Sequence, residues 1–163
     1  MYVNNNGDYM NTNVVVENVV VESKSNVKQS CKDVIKSNFT SRLKDLRKLY
    51  KAYVKAACSD NISLADGCFE ELSEYGLHFE YNLKDDCFIW LLSTGGPHDE
   101  IRAYLNLNGT IRKFEYRYLD WFDGSKVAIF KGERFELLKN IFTDFFMLDD
   151  SETREWYIKR ASE

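Results

Sequence analysis

Apolar and polar positions change rhythm along this chain, and each change marks an element. Residues 1–13 are polar and Asn-rich, which predicts a mobile terminus. Six valines then fall within nine residues, Val14-Val15-Val16-Glu17-Asn18-Val19-Val20-Val21-Glu22, with high β-propensity and no helical stripe. A run like this predicts a docked strand, either on the edge of the body or shared with a second copy. After residues 23–26 the period lengthens. Leu43, Leu46, Leu49, Tyr50, Tyr53, Val54 and Ala57 recur at i, i+3, i+4 and i+7, one apolar face of a helix. Thr40 or Ser41 is the expected N-cap, with a start as early as Lys28 as the alternative. A second helix is expected from Ser63 to Glu74, capped by Ser63, with Asp66 in its first turn and Gly76 closing it.

From His78 the period shortens to that of strands. A short strand over 78–81 precedes Cys87–Leu92, which is apolar on both faces and predicts a central strand covered on both sides. Glu100–Leu107 follows, then the hairpin signal Asn108-Gly109. From Thr110 to Leu119 the alternation is clean, with Phe114, Tyr116 and Tyr118 on one face and Lys113, Glu115 and Arg117 on the other. Asp123-Gly124 reads as another turn, and Lys126–Phe130 as the last strand. An amphipathic helix over 133–147 presents Phe135, Leu138, Ile141, Phe142, Phe145 and Phe146, and Ser151–Lys159 predicts a short tail helix anchored by Trp156. Helices, an antiparallel meander and a covering helix predict an α+β fold with four or five strands. The expected divisions are an extension over 1–26, a helical segment over 27–76, a sheet with its covering helix over 77–150, and a tail over 151–163. Together they make one compact domain.

Composition adds that this is an ordinary soluble mix, 44% apolar and 29% charged, with an unusual 15% of aromatics. No apolar run is long enough to span a bilayer, so no membrane role is expected. The N-terminus has neither a basic nor an apolar signal region, and the cysteines at 31, 58, 68 and 87 match no metal or redox spacing. The expected setting is a reducing cytoplasm, with free thiols and no cofactor or metal. Charge is segregated. Between Lys24 and Cys58 ten Lys or Arg stand against two Asp, a local +8, which leaves −12 on the rest of a chain whose net charge is −4.

Four groups of residues carry candidate chemistry. Ser93-Thr94-Gly95-Gly96-Pro97 can form an anion-binding nest of backbone amides. It lacks the Lys and Ser/Thr of a P-loop, and a tight hairpin connection explains its glycines and proline without a ligand. His98 beside Asp99 and Glu100 is the best acid–base cluster, against a plain surface histidine as the commoner case. Asp120 and Asp123 offer two carboxylates, a thin metal signal; Asp at such positions more often caps a turn, with Trp121 and Phe122 expected to pack beneath it. Arg42, Arg47, Lys48, Lys51 and Lys55 form a basic helix face suited to phosphates. The competing reading is a solvated face answering the acidic body.

The strings Trp90-Leu91-Leu92-Ser93-Thr94-Gly95-Gly96-Pro97, Tyr104-Leu105 and Tyr118-Leu119-Asp120-Trp121-Phe122 resemble a group of small proteins carried by phages and other mobile elements. The resemblance covers residues 87–124 and the closing helix. It implies a genomic context and transfers no catalytic residues. In that context the first expectation is a non-enzymatic interaction protein. It would inhibit a host nucleic-acid-targeting defence effector, of anti-CRISPR or anti-restriction type, by binding that protein or its nucleic-acid complex. Glu70, Glu71, Glu74, Asp85, Asp86, Asp120 and Asp123 are the candidate mimics of phosphate charge. The second expectation is a small nucleic-acid-binding accessory protein working through helix 42–55. The third is a small enzyme using Ser93, Thr94 and His98. The chain is expected as a monomer or, through strand edges, a homodimer.

Overall fold

The computed structural model describes residues 30–59 and 62–163, and the expectations for residues 1–26 lie outside them. Helix α1 (Cys31–Ala57) is one continuous rod of 27 residues. It buries Ile35, Phe39, Leu43 and Leu46, spaced four, four and three apart, along the stripe that faces the sheet. Thr40 and Ser41 therefore lie inside the helix and do not cap it. The Thr40 hydroxyl bonds back to the Lys36 carbonyl, the usual outlet for a mid-helix Thr. Helix α2 (Ile62–Ser73) begins one residue earlier than its Ser63 signal and packs beside α1, with Leu72 fully buried. Asp66 accordingly falls in its second turn.

Five strands follow in a simple meander: β1 (His78–Asn82), β2 (Cys87–Ser93), β3 (His98–Leu105), β4 (Ile111–Asp120) and β5 (Asp123–Ile129). All neighbours are antiparallel, in the order β1-β2-β3-β4-β5. The β2–β3 register shifts between Leu91 and Ser93, a bulge that turns the end of β2. The chain closes with α3 (Glu133–Asn140), which runs into a π-helical turn (Ile141–Phe145), and with α4 (Ser151–Arg160). The fold is α+β, as the pattern of elements predicts.

Among the described residues, every helix that reaches the main core packs on one face of the sheet. That face carries Phe88, Trp90, Leu92, Ile101, Ala103, Phe114 and Tyr116. Phe39 stacks on Tyr116 at 4.7 Å, and Phe142 meets Trp90, Phe114 and Phe146 edge-on. Phe142, Phe145 and Phe146, at i, i+3 and i+4, share the inward face of this segment and pack toward the sheet and α1. Gly76 sits against the Trp90 indole, and a Cβ there would lie 2.0 Å from its nitrogen. This glycine is required by close approach and not as a helix cap, since α2 ends at Ser73 and Gly76 is not among the residues with a left-handed φ.

Three expectations need correcting. No described helix covers the second face of β2. Cys87 and Ile89 are buried there beside Tyr104, under the long arms of charged residues on β3 and β4. The last hairpin turns at Trp121-Phe122, and Asp123-Gly124 opens β5, because Asp120 pairs directly with Asp123. Tyr157, not Trp156, anchors α4. It meets Phe79 at 5.1 Å and Phe88 at 5.9 Å, while Trp156 is half exposed under Arg160.

Candidate functional site

The end of β2 and the start of β3 bring together the most concentrated polar cluster of the core side. Asp99 is 2% exposed and faces the helices. Its Oδ2 accepts from Arg42 Nε at 2.8 Å and from the Tyr116 hydroxyl at 2.8 Å. Its Oδ1 accepts from Arg42 Nη2 at 3.0 Å and from the Ser93 hydroxyl. A buried carboxyl group is costly unless its oxygens are hydrogen-bonded, and all four of these contacts go to Asp99. Burial works against the Arg42 charge, but the Asp99 hydrogen bonds outweigh it and hold the guanidinium well above its ordinary range. Burial, with Asp99 alongside, pushes the Tyr116 phenol up, so Tyr116 serves here as a hydrogen-bond donor. One node thus ties α1 to β2, β3 and β4.

That node removes Ser93 and Arg42 from the roles the sequence suggested. Ser93 gives its hydroxyl to Asp99, while the next strand residue back, His98, points to the other face. There His98 Nε2 lies 3.2 Å from Glu100 Oε2. Ser93 and His98 are therefore separated by the sheet and do not form a nucleophile–base pair. Thr94, Gly95 and Gly96 are exposed in the turn between them. A shallow depression of about 260 Å³ beside this turn is lined by Asn38, Ser41, Arg42, Asp45 and Tyr118, among others.

The open face of the sheet is a lattice of charge pairs. Glu100 is held by Arg102, which also reaches Asp85. Glu115, 3% exposed, accepts from Lys113 and Arg117, with Lys126 at 3.6 Å. Burial alone would raise the Glu115 carboxyl, but these cations outweigh it and bring its pKa down to about 2. Opposite charges face each other across β3 and β4, Glu100 with Arg117 and Arg102 with Glu115, and Lys126 of β5 reaches Glu115 on the diagonal, so both glutamates are neutralised within this face.

The remaining predicted residues separate into engaged and free groups. Asp123 Oδ2 accepts the Cys31 backbone N–H at 2.6 Å and so caps α1 from a distant strand, while Ser30 at the cap position makes no such bond. Asp85 binds Arg102, and Asp86 accepts from the Tyr81 hydroxyl. Asp120 sits at the base of the last hairpin. Arg47 makes a loose, exposed contact with Glu133 at 3.5 Å. By contrast, no described carboxylate pairs with Lys48, Lys51 or Lys55, which share the solvent pole of α1 with Lys44. Glu70, Glu71 and Glu74 are likewise exposed on and just beyond α2. A lysine ridge and a glutamate ridge thus stand on neighbouring helices.

The last hairpin reverses an expectation, because Trp121 and Phe122 are not packed beneath the turn that the two aspartates flank. Trp121 and Phe122 form its two-residue tip, 80% and 103% exposed, with Leu119 at 40% beside them. Trp121 adopts φ +56°, a left-handed backbone that such turns normally give to Gly or Asn. Its indole edge rests near Gly96, where a Cβ would come within 2.9 Å of the indole nitrogen. The signal in the sequence was the Trp-Phe pair between two aspartates.

No group of three or more His, Cys, Asp or Glu able to hold a metal occurs among the described residues. No described helix is long and apolar enough to cross a membrane. Cys31 and Cys87 are buried, and burial raises both thiols, whereas Cys58 is exposed. Compared with known proteins, the chain matches no family model, no curated protein and no solved structure.

Proposed function

We propose that this chain is a non-enzymatic interaction protein that grips a partner protein with the Trp121–Phe122 hairpin tip. The observation that carries this reading is the tip itself: two large aromatic rings held in water on a backbone that disfavours Trp. Exposed Trp and Phe on a rigid hairpin are the residue types that dominate binding energy once a partner pocket desolvates them. Strain of this kind persists at sites where surrounding structure holds it for use. The glutamate ridge of Glu70, Glu71 and Glu74 supplies a second, acidic contact for a basic channel. In the phage or mobile-element setting implied by residues 87–124, the partner is a host effector that handles nucleic acid, and binding inhibits it.

The test is a tagged pulldown from the native host, with and without nuclease, using the full chain and the double variant Trp121→Ala/Phe122→Ala. The expected result is one nucleic-acid-processing complex that survives nuclease and is lost with the variant. Unchanged recovery by the variant would refute the role of the tip.

A second reading rests on Lys44, Lys48, Lys51 and Lys55, which pair with no carboxylate among the described residues. Arg42 is answered by Asp99, but these lysines are not answered by the acidic body, which leaves them available to phosphates. Binding of a duplex or single-stranded oligonucleotide that weakens steeply with salt would favour this reading over the first.

A further inference from the structure

Strand β1 ends the sheet, so among the described residues its outer backbone groups have no strand partner. Free edges of this kind are templates for a further strand, and proteins usually blunt them. Here the edge is walled instead. Residues 78–84 together with Tyr157, Arg160 and Ala161 of α4 line a groove of about 390 Å³ that runs beside the strand. Tyr157 closes its floor by packing on Phe79, and Leu83 is left 52% exposed at one end. A strand edge bordered by a helix is the geometry in which extended peptides add to a sheet, with backbone bonds for affinity and alternate side chains for selection.

The charges say which peptide. Glu80 Oε2 lies 3.3 Å from His78 Nε2 and is occupied by that ring as a hydrogen-bond partner. Asp85, next along the chain, is held by Arg102, and Asp86 accepts the Tyr81 hydroxyl. That leaves Lys84 and Arg160 as the cations of the groove with no carboxylate partner among the described residues, and Arg160 is already steadied over the Trp156 ring at 5.2 Å. We infer that the β1–α4 groove docks an extended acidic segment of a partner protein as a sixth strand, with a carboxylate of that segment between Lys84 and Arg160. This surface lies at the opposite edge of the sheet from β5 and its aromatic hairpin, and the inference stands independently of the function proposed for that hairpin.

The experiment is selection of random twelve-residue peptides displayed on phage against the immobilised full chain. Enriched sequences are expected to alternate β-branched residues and to carry Asp or Glu at a constant position. Lys84 and Arg160 are both exposed, so Lys84→Glu/Arg160→Glu keeps the fold, checked by an unchanged melting temperature. It should lower capture of the acidic winners by roughly tenfold and turn the preference toward Lys or Arg. Trp121→Ala/Phe122→Ala should leave the selection unaltered. No enrichment, an acidic bias that survives the charge reversal, or loss of selection in the hairpin variant would each overturn the inference. So would a mass in solution that doubles with concentration and returns to one chain on Glu80→Pro, since the edge would then belong to a second copy.

Discussion

Replacing Asp99 by Asn is the sharpest test of how this molecule is held together. The side chain keeps its shape but loses its charge, and one of its oxygens becomes an NH2 group facing the Arg42 guanidinium. Removing one member of a buried pair typically costs about 3–5 kcal/mol, because the other charge stays buried without a partner. Arg42 is not wholly buried, since its side chain remains 29% exposed and can turn toward water. The low end of the range therefore applies. Within that figure, the hydroxyls of Tyr116 and Ser93 exchange a charged acceptor for a neutral one, a loss of the order of 1 kcal/mol shared between them. The expected destabilisation is about 3 kcal/mol, read as a lower urea midpoint with an unchanged slope. For a chain of this length it corresponds to a fall of roughly 6–12 °C in melting temperature. Replacing both partners with apolar residues, Arg42→Met/Asp99→Leu, should recover part of that loss, the remainder being the cost of leaving the buried Tyr116 hydroxyl without its acceptor. A loss under 1 kcal/mol for Asp99→Asn, or a double variant no better than the sum of the singles, would refute the node as the tie between α1 and the sheet.

Two further substitutions probe the open face and the close approach at Trp90. The Glu115 carboxyl is depressed to about 2 from 4.5, so its contribution, about 3 kcal/mol at most, is fully present above pH 4.5 and is lost as the pH falls through 2. The stability difference between the native chain and Glu115→Gln should therefore shrink over that window in urea melts, and a constant difference would contradict the assignment. Gly76→Ala should destabilise by about 3 kcal/mol and disturb the near-ultraviolet signal of Trp90, because the core there has no room for a methyl group. In the same thermal melts Gly67→Ala, in open space inside α2, should stabilise by about 1 kcal/mol.

Periods were legible in the sequence, and partnerships were not. Phe114, Tyr116 and Tyr118 alternate with Lys113, Glu115 and Arg117, and a period of two has only one outcome once one face meets the helices. Asn108-Gly109 likewise forms its turn, with Gly109 at φ +82°. Asp99 was grouped with His98 and Glu100 because they are adjacent, yet neighbours on a strand point apart. Its partner Arg42 lies 57 residues away, on a helix face that read as basic and solvated. A longer separation hid Asp123. Asp-Gly is a strong local turn signal, but the N-terminus of α1, 92 residues earlier, offered an unpaired N–H that only the fold brings close. Trp156 looked like the anchor of α4 because of its size, and a weakly amphipathic helix gives no stripe from which to see that Tyr157 is the inward residue.

The hairpin tip separates stability from function, because the two place opposite demands on Trp121. A left-handed φ of +56° at this position costs a non-glycine residue of the order of 1 kcal/mol, and an indole 80% exposed recovers little of that by burial. Its contact with the Gly96 turn is an edge contact and not a packed pocket. Trp121→Gly should therefore leave the fold unchanged or make it more stable by up to about 1 kcal/mol. The same variant removes the largest ring that a partner could desolvate, and should reduce capture of that partner by at least about thirtyfold, the consequence of losing a 2 kcal/mol anchor. Both effects are measurable on one preparation, by thermal melting and by pulldown. A Trp121→Gly chain destabilised by more than 2 kcal/mol would mean that the ring is part of the scaffold, and the strain at the tip would then be a requirement of folding and no argument for binding.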